Sequence, residues 1–383
     1  MRSTAQILVL MSLFAGFCQS AIAASSATYV ITNDNGISNS ASVYLLDTVA
    51  GTLTQIAVLK TGGKGLDTEL PSDSQQAITP DGGCIFILDP GSRDIASFSK
   101  ATGYAKVGNY VTKSVAVNGS IGLTPNGKFL YQTGDDSGNV GAYTVNSDCS
   151  ITFIDAYTPL YGPTPLAALK VSPNGKYLIV GPIGELFAID ESSGTLTDLG
   201  YIDFKVIPYC ENVGCSADGI DFTKDSQFAI FGGHNSIPQP EAFTARITPS
   251  GFVDPKAWPL PNSENLWGEA LPFLDAAGYA GNGNLYLGAV GGGSAINPGG
   301  IITASFTENP LNIAVTNATI IDSPSFWDGS IAVNGNLLVV AEHPNEIGVF
   351  SINSDGSLTQ LSTTVDPRSK LGFYSLSVFP NTR

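Results

Sequence analysis

An all-β ring of seven blades, a β-propeller, is the fold this sequence predicts, and three observations predict it. One unit of an apolar strand, a tight turn and a second apolar strand recurs seven times. The recurrence is spaced at about 45 to 55 residues, the spacing of four-stranded propeller blades. The last copy is divided between the two ends of the chain. Its first part is FYSLSVFPN (Phe373 to Asn381), and its continuation is TYVITN (Thr28 to Asn33). A ring closed by pairing its tail with its head needs such a division, because closure removes the sheet edges that otherwise invite aggregation.

The turns stand in ITPDGG (from Ile78), LTPNGK (from Leu123), VSPNGK (from Val171), FTKDSQ (from Phe222), YAGNGN (from Tyr279), AVNGN (from Ala332) and the terminal VFPN. Asp-Gly and Asn-Gly favour the positive φ angles that close two-strand hairpins. Behind them run CIFILD, KFLYQT, KYLIVG, QFAIFGG, NLYLGAV and NLLVVAE, continuous apolar stretches suited to strands buried on both faces. A third strand follows in each unit: SVYLLD, DIASFSK, VGAYTV, ELFAID, AFTARIT, IITASFT and IGVFSI. Turns of the GTLT type, at Gly51, Gly194 and Gly356, then open a fourth.

Residues 1–23 read as a signal peptide. Arg2 is the positive start, Ile7 to Phe17 the apolar stretch, and Ala21-Ile22-Ala23 the small-x-small cleavage site. The mature chain, 24–383, is then one propeller domain, exported to a periplasm or the cell exterior. No stretch is long enough for a comfortable membrane span. Cleavage removes one base and no acid, moving the formal net charge from −16 to −17. Such a balance disfavours nucleic acid and anionic membrane, which require basic patches. A monomer is expected. Four cysteines remain, and export permits disulfides. Three pairings exist. The closeness of Cys210 and Cys215 in a Pro- and Gly-containing loop favours a local staple, and Cys84 with Cys149 is the remaining guess.

YVITNDNGISNSASVYLLDTVAGTLTQI (Tyr29 to Ile56) resembles the repeat of the lactonase-type seven-bladed propellers, which include 6-phosphogluconolactonase and carboxymuconate cyclase. It is also similar to the YVTN surface-protein repeats, with one residue more. The resemblance covers essentially the whole mature chain. It implies fold rather than activity, because the recurring residues are those of strands and turns.

Chemistry would sit in the long connections of one face, because irregular loops on a rigid scaffold carry most function. Candidate ligand-binding residues there are Glu69 and Asp73 before blade 2, Tyr209, Asn212 and Asp218 before blade 5, Trp267 before blade 6, and Trp327 and Asp328 before blade 7. For lactone hydrolysis, Glu211 or Glu269 would activate water, His234 or His343 would serve as the acid, and Arg368 would stabilise the oxyanion. Each is, taken singly, an ordinary solvated loop charge. The two histidines do occupy corresponding positions in blades 5 and 7. Asp34-Asn35 and Asp135-Asp136-Ser137-Gly138-Asn139 offer hard oxygen ligands without EF-hand spacing, so no metal or other cofactor is expected; a channel calcium ion stays open without a motif behind it. No cluster suits zinc, copper or iron. A Gly-x-Ser-x-Gly elbow in a strand-to-helix context is absent. The sparse arginines and the export signal argue against a phosphorylated substrate. The sequence therefore points first to a binding protein for a small molecule, glycan or peptide. Hydrolysis of an unphosphorylated lactone is the alternative, and a structural surface module is the third.

Overall fold

The computed structural model describes residues 27–66, 74–112, 119–134, 138–160, 168–207, 210, 215–235, 240–260, 273–290, 300–321, 330–342, 345–368 and 375–379. They form seven four-stranded antiparallel sheets. From blade 1 to blade 7 the innermost strands are Leu376–Phe379, Gln76–Ile78, Ile121–Leu123, Leu169–Val171, Cys215–Phe222, Phe273–Tyr279 and Ile331–Asn334. Each innermost strand touches the next around the axis, and the seventh touches the first. Two single-turn 3₁₀ segments, Lys100–Thr102 and Phe204–Val206, are the helical elements among the described residues.

Blade 1 is built from both ends of the chain, as the divided repeat predicts. Its inner strand, Leu376–Phe379, pairs antiparallel with Thr28–Asn33, setting Tyr29 opposite Phe379, Val30 opposite Val378, Ile31 opposite Ser377 and Thr32 opposite Leu376. The strands Ser40–Asp47 and Thr52–Lys60 complete the sheet.

The second strands are apolar on both faces because each blade is packed between two others. Val30 and Tyr44 of blade 1 meet Val339 and Ile347 of blade 7, while Ile31 and Val43 of the same sheet meet Ile85 and Ile87 of blade 2. Outermost strands face water: Thr52–Lys60 and Leu358–Val365 are made of exposed and partly buried residues, with Leu59 the one buried side chain. Aliphatic side chains packed between blades supply the driving force, at about 25 cal/mol per Å² of apolar surface removed from water.

A recurring joint holds blade to blade at the lower face, where the third strand turns into the fourth. Gly194 in blade 4 has φ +73, and a Cβ there would lie 2.3 Å from Phe129 of blade 3. Tyr131 of blade 3 donates its hydroxyl to the Gly194 carbonyl at 3.0 Å. Blade 7 repeats the arrangement. Gly356 has φ +84 and its carbonyl accepts from Tyr286 of blade 6 at 3.1 Å. Blade 3 carries Cys149 at that position, in NSDCS against NSDGS of blade 7, with φ +68. The contact with the preceding blade becomes covalent: Cys149 is bonded to Cys84 of blade 2, S–S 2.01 Å. The turn glycines thus serve inter-blade fit as well as local geometry.

Gly194→Ala meets both a left-handed backbone and the Phe129 ring. We expect it to lower unfolding free energy by about 2–4 kcal/mol in urea denaturation. Gly103→Ala, also at positive φ but with no atom within 4 Å of the added methyl, should cost about 1 kcal/mol.

Candidate functional site

The upper face carries the connections between second and third strands and those from each outer strand to the next inner strand. Carboxyl groups are sealed into it where blades meet. Asp34, Asp89, Glu185, Glu342 and Asp366 are all at most 4 % exposed. Burial of a carboxylate is unfavourable unless hydrogen bonds or charges compensate, so the partners of each decide what it can do.

The richest cluster spans the seam between blades 7 and 1. Asp366 follows the outer strand Leu358–Val365 of blade 7, and the Tyr44 hydroxyl of blade 1 donates to its Oδ2. Oδ1 of Asp366 accepts from the Arg368 backbone amide at 3.0 Å and lies 3.9 Å from the Arg368 guanidinium. That guanidinium donates to Gln55 Oε1 at 3.0 Å, and Gln55 Nε2 donates to the Tyr44 hydroxyl oxygen at 3.4 Å. Burial and the adjoining Asp366 carboxylate push the Tyr44 hydroxyl above its ordinary value, so it keeps its proton and donates it to Asp366. Asp34 stands above this chain. Ser40 donates to its Oδ2 at 2.5 Å and Thr32 to its Oδ1 at 3.4 Å. Burial raises Asp34 to about 6, with Asp366 adding repulsion and Ser40 opposing it.

At the seam of blades 1 and 2, Asp89 accepts from Asn39 Nδ2 at 2.7 Å. Burial drives it up to about 7, and the facing Asp94 carboxylate pushes the same way. At the seam of blades 3 and 4, Glu185 accepts from the Leu160 amide at 2.7 Å. Glu342 ends the second strand of blade 7, raised to about 7 by burial and by Glu346. Nearer the axis, Asp221 of blade 5 accepts from the Tyr279 amide of blade 6 at 2.7 Å and lies 3.9 Å from Lys170 of blade 4. Gln76 of blade 2 accepts from Ser375 at 2.7 Å and donates to Ser377 at 3.1 Å, clasping the closing strand. Among the described residues no group of three or more His, Cys, Asp or Glu is placed to hold a metal ion.

The residues singled out from the sequence are placed unevenly. Arg368 lies on the upper face with its side chain 39 % exposed, its guanidinium donating to Gln55 and lying 3.9 Å from Asp366. His234 is within the second strand of blade 5, Phe228–Asn235, paired with Ser216 and Pro240 instead of following the strand. The strand runs further because Cys215–Phe222 and Pro240–Thr248 are also long, giving it partners on both sides. Asp218 likewise belongs to the inner strand Cys215–Phe222, at a bulge between Ala217 and Gly219, rather than to the connection before it. His234 in blade 5 and Arg368 at the seam of blades 7 and 1 occupy different sectors. Glu69, Asp73, Tyr209, Glu211, Asn212, Trp267, Glu269, Trp327, Asp328 and His343 lie outside the described residues, as do Asp135 and Asp136. Cys210 and Cys215 are bonded, S–S 2.15 Å, tying the connection out of blade 4 to the start of blade 5's inner strand.

Asp89, Glu185 and Glu342 are hard to see in the sequence because they stand within apolar strands rather than in the charged loops. A signal was present: CIFILD and NLLVVAE each end an apolar strand on an acid, a costly choice unless the site needs it.

No protein-family model matches the sequence, and no curated protein matches it. Solved structures do match in shape. A protein from Lactobacillus plantarum superposes with TM-score 0.65 at 14 % identity, covering 92 % of this chain and 99 % of that one. A putative 6-phosphogluconolactonase from Bacteroides fragilis gives 0.64 at 13 %, covering 92 % and 98 %. The periplasmic gluconolactonase of Pseudomonas aeruginosa gives 0.65 at 13 %, covering 93 % and 99 %. The fold is that of the lactonase-type seven-bladed propellers. Identity so low speaks for backbone architecture alone and leaves the chemistry to the residues themselves.

Removing the Tyr44 hydroxyl leaves Asp366 with one buried oxygen lacking its donor. Tyr44→Phe should destabilise the protein by about 1–3 kcal/mol in urea melts. Arg368→Gln, which gives up an exposed hydrogen bond to Gln55 and a loose 3.9 Å approach of a half-exposed guanidinium to the buried Asp366, should cost about 1 kcal/mol.

Proposed function

We propose that this protein is an exported recognition module that captures a small polar molecule, a glycan or a peptide segment on its upper face. The reading is carried by the Cys210–Cys215 bridge, which closes a loop of sequence separation 5 at the mouth of blade 5. So short a loop gains little stabilisation from lost chain entropy. A bridge this local serves restraint rather than stability, which is what a binding surface requires, and Tyr209, Glu211 and Asn212 adjoin its two cysteines in the sequence. Trp267 and Trp327 fall, by sequence order, in connections between an outer strand and the next inner one, like that loop. The two disulfides suit an oxidising compartment, in keeping with the predicted leader and with a periplasmic neighbour of the same fold. The acidic chain favours a neutral or cationic ligand.

Hydrolysis of an unphosphorylated lactone is the second reading, favoured by neighbours whose own descriptions name gluconolactone chemistry. Glu211 or Glu269 would then activate water.

Two measurements separate these readings. A glycan array followed by calorimetry should find a ligand for the mature protein, and Cys210→Ser with Cys215→Ser should weaken it at least tenfold without loss of fold. An array and a peptide library that both stay silent would remove the binding reading. In a pH-stat assay with glucono-δ-lactone we expect no turnover beyond spontaneous opening. Turnover that Glu211→Gln or Glu269→Gln abolishes would replace recognition by catalysis.

A further inference from the structure

Three acids seal the upper ends of three consecutive seams. Glu342 shares a strand face with Leu338 and Val340, which pack on Tyr286 and Ile301 of blade 6, so it closes the seam of blades 6 and 7. Asp34 lies at the seam of blades 7 and 1, within reach of Asp366 and Arg368. Asp89 shares a face with Ile85 and Ile87, which pack on blade 1, and it closes the seam of blades 1 and 2. Blade 1, which holds the closing strand, thus sits in the middle of this sector.

Two of the three are incompletely paired. Asp89 Oδ2 and Glu342 Oε1 are buried with no hydrogen-bond partner. Each is pressed against a glycine: a Cβ at Gly63 would lie 2.3 Å from Asp89 Oδ2, and one at Gly348 would lie 1.9 Å from Glu342 Oε1. Side chains are excluded at those two points, so the carboxyl groups fill the seam. Each also stands in register with a second acid across the same hairpin, Asp89 with Asp94 and Glu342 with Glu346. Two ionised carboxylates present acceptors only. A single proton on one of them supplies the missing donor and removes a buried charge.

We propose that these seams form a proton-operated latch: a proton held on Asp89 and on Glu342 keeps blades 6, 7, 1 and 2 clamped, and its loss loosens the sector in which the ring closes. The surroundings favour this. Asp89 faces Asp94 on its own hairpin, and from blade 1 the neutral Asn39 and Thr61. The nearby Lys106 ammonium donates to the Thr61 carbonyl at 3.1 Å. Glu346 is the charged group acting on Glu342, and Asp34 feels Asp366 against Arg368.

The sign follows from linkage. The folded values, about 6 for Asp34 and about 7 for Asp89 and Glu342, lie above the ordinary 3.8 and 4.5. The folded state therefore holds more protons than the unfolded state between about pH 4 and 7, and stability from these groups is lost as pH rises through 6 to 7. The latch depends on the ring geometry and is independent of the ligand reading.

The test uses the mature protein at fixed ionic strength. Thermal midpoints should fall by several degrees between pH 5 and pH 8, with amide protection factors, normalised to the intrinsic exchange rate at each pH, dropping at high pH in 28–47, 84–99 and 337–352 more than elsewhere. Asp89→Asn and Glu342→Gln should raise the midpoint at pH 8 and flatten the profile, while Glu191→Gln, removing one exposed charge, should leave the slope unchanged. Parallel slopes for all three variants, or a midpoint that rises with pH, would overturn the proposal. Carboxyl NMR titration of the unmodified protein gives a second reading free of folding defects. Asp89 and Glu342 titrating near 4 would also overturn it.

Discussion

Four backbone pairings, Tyr29 with Phe379 through Thr32 with Leu376, join the two ends of the chain and hold the ring shut. Everything else presupposes them. Without that ladder blade 1 would lack its innermost strand, and the apolar faces of Val30 and Ile31 would lose their register against blades 7 and 2. Side chains reinforce the ladder from outside the sheet: Gln76 of blade 2 engages Ser375 and Ser377 on the closing strand. A closed ring distributes this dependence, because each blade is a packing surface for two others.

The two faces solve the problem of joining blades differently. On the lower face the joint is steric and neutral, a turn residue in left-handed conformation seated on the preceding blade. Cys149 shows what that position can tolerate. A non-glycine residue sits at φ +68 where its sulfur is held covalently to Cys84. On the upper face the joints are polar and acidic, built from Asp34, Asp89, Glu185, Glu342 and Asp366. Buried carboxyl groups add little stability compared with well-packed aliphatics. They lie on the same face as the Cys210–Cys215 bridge.

The architecture was legible in the sequence because propeller strands are repetitive and their turns carry fixed chemistry. TPDGG, TPNGK and SPNGK announce hairpins wherever they fall, and the split between Phe373–Asn381 and Thr28–Asn33 announces closure. The site was much less legible. Loop charges such as Glu211 and Glu269 attract attention by type, yet type alone does not place two side chains together. Asp89 and Glu342 were hidden inside strands read as purely apolar, and their partners lie across hairpins or on other blades. The sequence offers Arg368 as a cation but not its partner: Gln55, 313 residues away in sequence, accepts its hydrogen bond. Contacts between blades at such separations leave no local pattern to read.

The most direct measurement of the closed ring is disulfide trapping across the joined ends. Val30 and Val378 stand opposite each other in the antiparallel pairing, within cysteine reach. A Val30→Cys/Val378→Cys protein should oxidise to a single additional intramolecular bond between those two positions, identified by peptide mass spectrometry, while keeping its native β-sheet spectrum. Two free thiols in a folded protein, or a bond that forms only after denaturation, would contradict the closure on which this account stands.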